Sequence, residues 1–293
     1  MPENSAGENR PTPGDGGRAP RKRSPLLLTV LAVLFVLVPA LFWHQTWFGR
    51  PLTNQEIEKQ LGDREHPRKA QHALSQIADR ILKGDETVRP VYPRVASLAS
   101  HPDDNIRATA AWVMGQDNRA LEFHQALLKL LRDPQVMVRR NAALSLVRFQ
   151  DASGRAEIKG MLTPYGVRSG AGGTLSIQLA AGHPVGRGTL LARVKQDGGA
   201  ESEVRSPFAG RVDRALAADG SRVAAQQEVI LVSPDPSQVW EALRGLYLVG
   251  QSEDLPAVES YARPQADTTD QIRRQAVQTA QSIRARWEHE TTR

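Results

Sequence analysis

Cysteine is absent from the 293-residue sequence, which removes disulfides, thiol catalysis, cysteine-ligated zinc and a lipidated N-terminal cysteine in one step. Aromatic residues are scarce, at 5%, so large core side chains are few and packing must rely on aliphatic residues and alanine. The arrangements that catalysis or metal binding would need are missing as well. Seven histidines are dispersed along the chain: His44, His66, His72, His101, His124, His183 and His289. His66 and His72 are six apart, which is not the spacing that brings two ligands onto one helix face. His101 precedes Pro102 at a helix entrance, where turn and capping roles are common, and Asp103-Asp104 reads as the acidic first turn of a helix. The glycines of 170–173 and 182–188 lack the Lys-Ser/Thr ending and the strand-to-helix setting of a phosphate loop. No nucleophile elbow occurs. No catalytic residue, metal ligand or cofactor is therefore expected.

Charge adds little about partners. The net charge is +6, but Arg18, Arg21, Lys22 and Arg23 crowd the tail before an apolar run, and the other basic residues are scattered among acids. No basic stripe for nucleic acid results. Residues 1–24, rich in Pro, Gly, Ser and charge, are expected to be a disordered cytoplasmic tail. The run over 25–43, PLLLTVLAVLFVLVPALFW, carries no charge and has the length of a transmembrane helix. Phe42, Trp43, Trp47 and Phe48 follow as an interfacial belt would. A cleaved signal peptide is the alternative, but the run exceeds a usual h-region and no A-x-A-like site follows. The basic flank holds the N-terminus inside, so the expectation is a single-pass protein of the bacterial inner membrane with its bulk periplasmic or otherwise extracytoplasmic.

From Thr53 onward the pattern is helical. Thr53 and Glu56 have capping-box spacing, and Ile57 and Leu61 stand at i, i+4. Over 66–82, Ala70, Ala73, Leu74, Ile77, Ala78 and Ile81 share one face. Two later stretches resemble each other: HPDDNIRATAAWVMGQ from His101 and RDPQVMVRRNAALSLVRFQ from Arg132. Each has a proline at its entrance, an aliphatic-Arg pair (Ile106-Arg107, Val138-Arg139) and then Ala-Ala. Pro67, Pro102 and Pro134 are spaced by 35 and 32 residues, the period of a helix-hairpin solenoid. The stretches resemble HEAT-like repeats in Asp133-Pro134, Val138-Arg139-Arg140, Ala142-Ala143-Leu144 and Leu146, and the pattern resumes from Gln238 to Ile283. In such a stack Arg107 and Arg139 are expected to pair with acids of the next repeat.

Between Val167 and Val232 the apolar spacing turns to two and glycine becomes frequent. The halves from Gly172 and from Ala209 align at an offset of 37, then 38, residues. The alignment pairs Leu175 with Val212, Leu179 with Leu216, Val185 with Val223 and Leu191 with Val229. Gly182 and Gly220 fall where the turns need positive φ. The string Arg205-Ser206-Pro207-Phe208-Ala209-Gly210-Arg211-Val212 resembles a biotinyl/lipoyl-type domain, a barrel-sandwich hybrid also found, without cofactor, in periplasmic adaptor (membrane-fusion) proteins. Cofactor-bearing members place a lysine at the tip of the central hairpin. Here the tip is Asp197-Gly198-Gly199-Ala200, and the only nearby lysine, Lys195, stands on its shoulder.

The expected fold is thus multidomain α plus β. It comprises a single transmembrane helix, an α-solenoid of HEAT-like repeats over 51–166 and 235–293, and an inserted all-β barrel-sandwich hybrid over 167–234. The expected function is a non-enzymatic, membrane-anchored scaffold that organises protein partners of an envelope complex. The alternatives are a periplasmic adaptor of an export system, set against by the short hairpin, and a covalent cofactor carrier through Lys195.

Overall fold

The structure, a computed structural model, describes residues 30, 33–39, 51–264 and 268–291. Two compact units emerge, Met1–Pro51 and Leu52–Arg293.

The second unit opens with seven helices: α1 (Asn54–Gly62), α2 (Pro67–Leu82), α3 (Tyr92–Ser97), α4 (Asp104–Met114), α5 (Leu121–Leu130), α6 (Val136–Arg148) and α7 (Arg155–Gly160). Eight strands follow, and three helices close the chain: α8 (Pro236–Val249), α9 (Leu255–Ala262) and α10 (Asp270–Thr291). Local chemistry sets the entrances. Thr53 and Glu56 form a reciprocal capping box on α1, Pro67 begins α2, and the Asp103 carboxylate accepts from the Asn105 backbone at the start of α4. Asp235 caps α8 ahead of Pro236. The capping side chains satisfy N–H groups that a helix leaves without partners at its start, and Pro67 has no N–H to satisfy.

The second helix of each hairpin stacks on the next, in the order α2, α4, α6, α8, α10. Small side chains allow the approach: Ala110-Ala111 and Ala142-Ala143, 32 residues apart, are fully buried. One core joins α1 to α6. A second gathers Ala143 and Val147 of α6, Ile158 of α7, Leu243 and Leu246 of α8, Val258 of α9 and Ile283 of α10. This core spans the β segment, so the helices before and after it belong to one stack, with the strands emerging between α7 and α8.

The strands are β1 (Tyr165–Arg168), β2 (Gly173–Ile177), β3 (Pro184–Val185), β4 (Leu190–Lys195), β5 (Glu201–Arg205), β6 (Gly210–Ala215), β7 (Arg222–Val223) and β8 (Glu228–Pro234). They form two antiparallel sheets, β1-β8-β6-β3 and β5-β4-β2-β7. Exchanging β1–β4 with β5–β8 turns one order into the other, so the sequence offset is a pseudo-twofold in space. Gly182 (φ 84°) and Gly220 (φ 75°) hold equivalent turns. Leu175, Val212, Val185, Val223, Leu191 and Val229 are buried in the core between the sheets, and Val136 and Met137 of α6 pack onto the same core. Leu216 is the exception among the paired positions, 43% exposed where its mate Leu179 is partly buried.

The fold class expected from the sequence is corrected in two respects. The inserted part is not a closed barrel: each sheet ends in unpaired edges, and β3 and β7 are only two residues long, too short to carry a ladder around a closure. Nor is a transmembrane helix found: among the described residues no helix is long and apolar enough to cross a membrane. The inner-membrane location and the periplasmic orientation rested on that helix and fall with it. The tail 1–24 and the aromatics Phe42, Trp43, Trp47 and Phe48 lie outside the described residues.

Candidate functional site

The periodic arginines are part of the framework. Arg107 grips Asp133 through Nε at 2.6 Å and a second nitrogen at 3.0 Å, and donates to the carbonyls of His101 and Pro102. One repeat later, Arg139 donates to Glu157 at 3.0 Å and to the carbonyls of Asp133 and Pro134. The geometry repeats because the sequence does. Further on, Arg155 reaches Asp254 at 3.0 Å and Glu253 at 3.1 Å, tying α7 to the turn before α9. His101 has a turn role, its Nδ1 accepting from the Asp103 backbone.

This ladder has an acid signature. Burial pushes the Asp133 carboxyl up, but the bonds from Arg107 and from the Gln135 backbone outweigh it and hold its pKa below the usual value. A depressed folded pKa gives stability that is present above the unfolded value of about 3.9 and lost as pH falls through the folded one. Asp133→Asn is therefore expected to cost about 2 kcal/mol at pH 7 and to shrink the loss between pH 5 and pH 2. Urea melts across that range check it. An acid loss equal to wild type would show that Asp133 does not contribute.

Side chains also bond backbone carbonyls of the preceding helix. Asn141 donates to the Ala108 carbonyl and Ser145 to that of Ala111. Thr279 donates to Leu243, while Ser282 and Arg286 donate to Tyr247. These bonds line up α4, α6, α8 and α10 as the wall of an open groove of 1380 Å³. Into it project Trp112, Tyr247 and Leu248, which are 47%, 42% and 58% exposed. Polar groups stand among them, including Gln278, Gln281, Glu241 and Arg244. Large apolar side chains thus stand in the groove among carboxamides and few net charges. Trp112 lies in the repeat quoted from the sequence, but helical spacing alone does not distinguish a groove-facing tryptophan from a core one.

The β segment is pinned to the stack at two places. Arg187 donates to Asp104 at 2.7 Å and to the Asn105 side chain at 2.6 Å. Arg140, 2% exposed, lays its guanidinium over Phe208, 4.0 Å from the ring centre, with Tyr165 at 5.8 Å. Its terminal nitrogen donates to Gln238 Oε1 at 2.6 Å, and the Gln238 amide donates to the Ala209 carbonyl at 2.6 Å. A single hub thus joins α6, α8 and the β6 approach. Burial pushes the Arg140 guanidinium down to about 10, so it remains a cation at neutral pH. The sequence places Arg140 in the HEAT-like string and Gln238 where that pattern resumes, but assigns neither a contact with the β segment. Lys195 ends β4, exposed, opposite Thr174 and Glu201.

Residues 91–176 match the family model for HEAT repeats. HEAT repeats are helical-repeat scaffolds that mediate protein–protein interaction and are typically non-catalytic. The matched residues run from the end of the turn before α3 to β2, and so include the Arg107 and Arg139 rungs. None of the curated proteins compared matches the chain.

Proposed function

We propose that this chain is a non-enzymatic scaffold that holds protein partners in the groove of α4, α6, α8 and α10, with the β segment as a second contact surface. The observation that carries this reading is the exposure of Trp112, Tyr247 and Leu248 in one groove built by successive repeats. A photo-crosslinking residue at Leu248 is expected to give discrete protein adducts that disappear on Trp112→Arg, while the same probe at Leu121, 66% exposed on α5, gives none. Equal adducts from both positions would sink the groove assignment.

For the β segment we favour a contact role without a covalent cofactor. Its internal twofold and the Arg205–Val212 string support a likeness to biotinyl/lipoyl-like modules of the adaptor kind, and the hairpin tip 197–200 offers no amine for covalent carriage. The hairpin between β4 and β5 spans only 196–200, which leaves no coiled coil of the sort export adaptors use, so the scaffold reading is preferred to the adaptor one. The native chain is expected to have the mass of the bare polypeptide, and Lys195→Arg to leave partner capture unchanged. An added mass lost in that variant would establish a carrier instead.

A further inference from the structure

A second cleft, of 850 Å³, lies where the start of α6 and α7 face β1 and β8. Four arginines and two glutamates line it: Arg139, Arg140, Arg168, Arg205, Glu157 and Glu228. Arg168 pairs with Glu228 at 3.0 Å, and Arg205 with Glu203 at 2.6 Å. Arg139 holds Glu157 at 3.0 Å. Arg140 is left with the neutral amide of Gln238 and with the other Glu157 oxygen, 3.9 Å from its Nε and beyond hydrogen-bond length. Two guanidinium groups therefore share one carboxylate, and the cleft keeps one positive charge unbalanced.

That charge is nearly buried, and the Arg140 Nε has no hydrogen-bond partner among the described residues. Buried ionised groups are ordinarily paired, and one left short marks a place where a counter-charge belongs. Pro134 and Gln135, at the start of the 13-residue helix α6, form part of the wall, and the Asp133 carboxylate already accepts from the Gln135 N–H there, so the positive charge of the cleft comes from the arginines. The remaining wall includes Pro164, Val167, Pro207 and Leu231, which suits an anion carried on an apolar chain better than a free inorganic ion.

We propose that this cleft binds a carboxylate on an acidic segment of a protein partner, with the Arg139–Arg140 pair supplying the charge. The site is separate from the helical groove and does not depend on it. The test uses the full chain and the side-chain Nε–Hε NMR signal of Arg140, assigned by its loss in Arg140→Met. The probes are the capped peptide acetyl-Glu-Glu-Glu-amide, its all-glutamine counterpart and inorganic phosphate. The acidic peptide should shift the Arg140 signal and the Gly166 and Val167 amides saturably. It should bind at least tenfold more tightly than the glutamine peptide and weaken at least fivefold from 50 to 300 mM salt, as a charge-driven contact does. Absence of shifts at Arg140 and β1 would overturn the proposal. So would equal binding of the glutamine peptide, or binding of phosphate without the acidic peptide. If Arg140→Met folds, it should no longer bind the acidic peptide, and unchanged binding there would also overturn it. If it does not fold, the wild-type titration decides.

Discussion

Gly210→Ala is expected to destabilise the β segment by about 3 kcal/mol, and Gly173→Ala by a similar amount. A Cβ at Gly210 would fall deep inside contact distance of the Ser233 carbonyl oxygen, and one at Gly173 would meet the Lys195 carbonyl in the same way. The two sites are related by the pseudo-twofold. Each glycine begins a strand, β6 or β2, against the end of its neighbour, β8 or β4, and the obstructing atoms are backbone, which cannot rotate aside. Gly198→Ala is the control, since nothing among the described residues lies within 4 Å of its Cβ and its φ is not positive. Thermal melts of the three variants check the claim. Near-equal stability of Gly210→Ala and Gly198→Ala would mean that β6 and β8 do not approach as closely as the structure has them.

Arg140→Ala is expected to cost about 3 kcal/mol, whereas Arg140→Met should stay within about 1 kcal/mol of wild type. Both variants remove the cation over Phe208 and strip Gln238 Oε1 of its donor, but only alanine also opens a void between α6 and the sheets. Methionine fills most of that volume and removes a buried charge that is poorly compensated. Its thioether can still lie against the aromatic rings. For a unit of this size about 3 kcal/mol lowers the melting temperature by roughly 10 °C. Two variants of equal stability would refute this assignment of roles. If both lost as much, the charge itself would be the stabilising element; if neither did, the hub would hold nothing.

The sequence made the repeats legible because each rung of the ladder needs the same few residues at the same offset. Pro-x-x-x-aliphatic-Arg recurs at 102–107 and 134–139, and both arginines reach back to the two carbonyls at the helix entrance while pairing forward with an acid. The twofold of the β segment was legible for the same reason: alternation and turn glycines repeat at a fixed distance. What stayed hidden depends on facing rather than on type. Arg139 and Arg140 are adjacent, so they point about 100° apart on α6, and nothing in the string says which one faces the sheets. Trp112 and Tyr247 are far apart in the chain, and only the stacking of α4, α6 and α8 brings them to one groove. The uncharged run at 25–43 misled for a simpler reason. Length and lack of charge are requirements for a membrane helix, but they do not establish one, and among the described residues no helix is long and apolar enough to cross a membrane.

The claim on which the rest depends is that the helices on either side of the β segment form one repeat stack onto which the sheets are docked. Tyr261 donates to the Leu162 carbonyl, Lys159 to the Glu253 carbonyl and Arg155 to Asp254, all across the β segment. The most direct measurement is therefore the urea unfolding of a chain in which 167–232 is replaced by a short Gly/Ser linker. The expected result is a helical protein with a single cooperative transition, less stable than the full chain by the contacts of Arg140, Val136 and Met137 with the sheets. A shortened chain with no cooperative transition, or with separate transitions for the two helical halves, would contradict it.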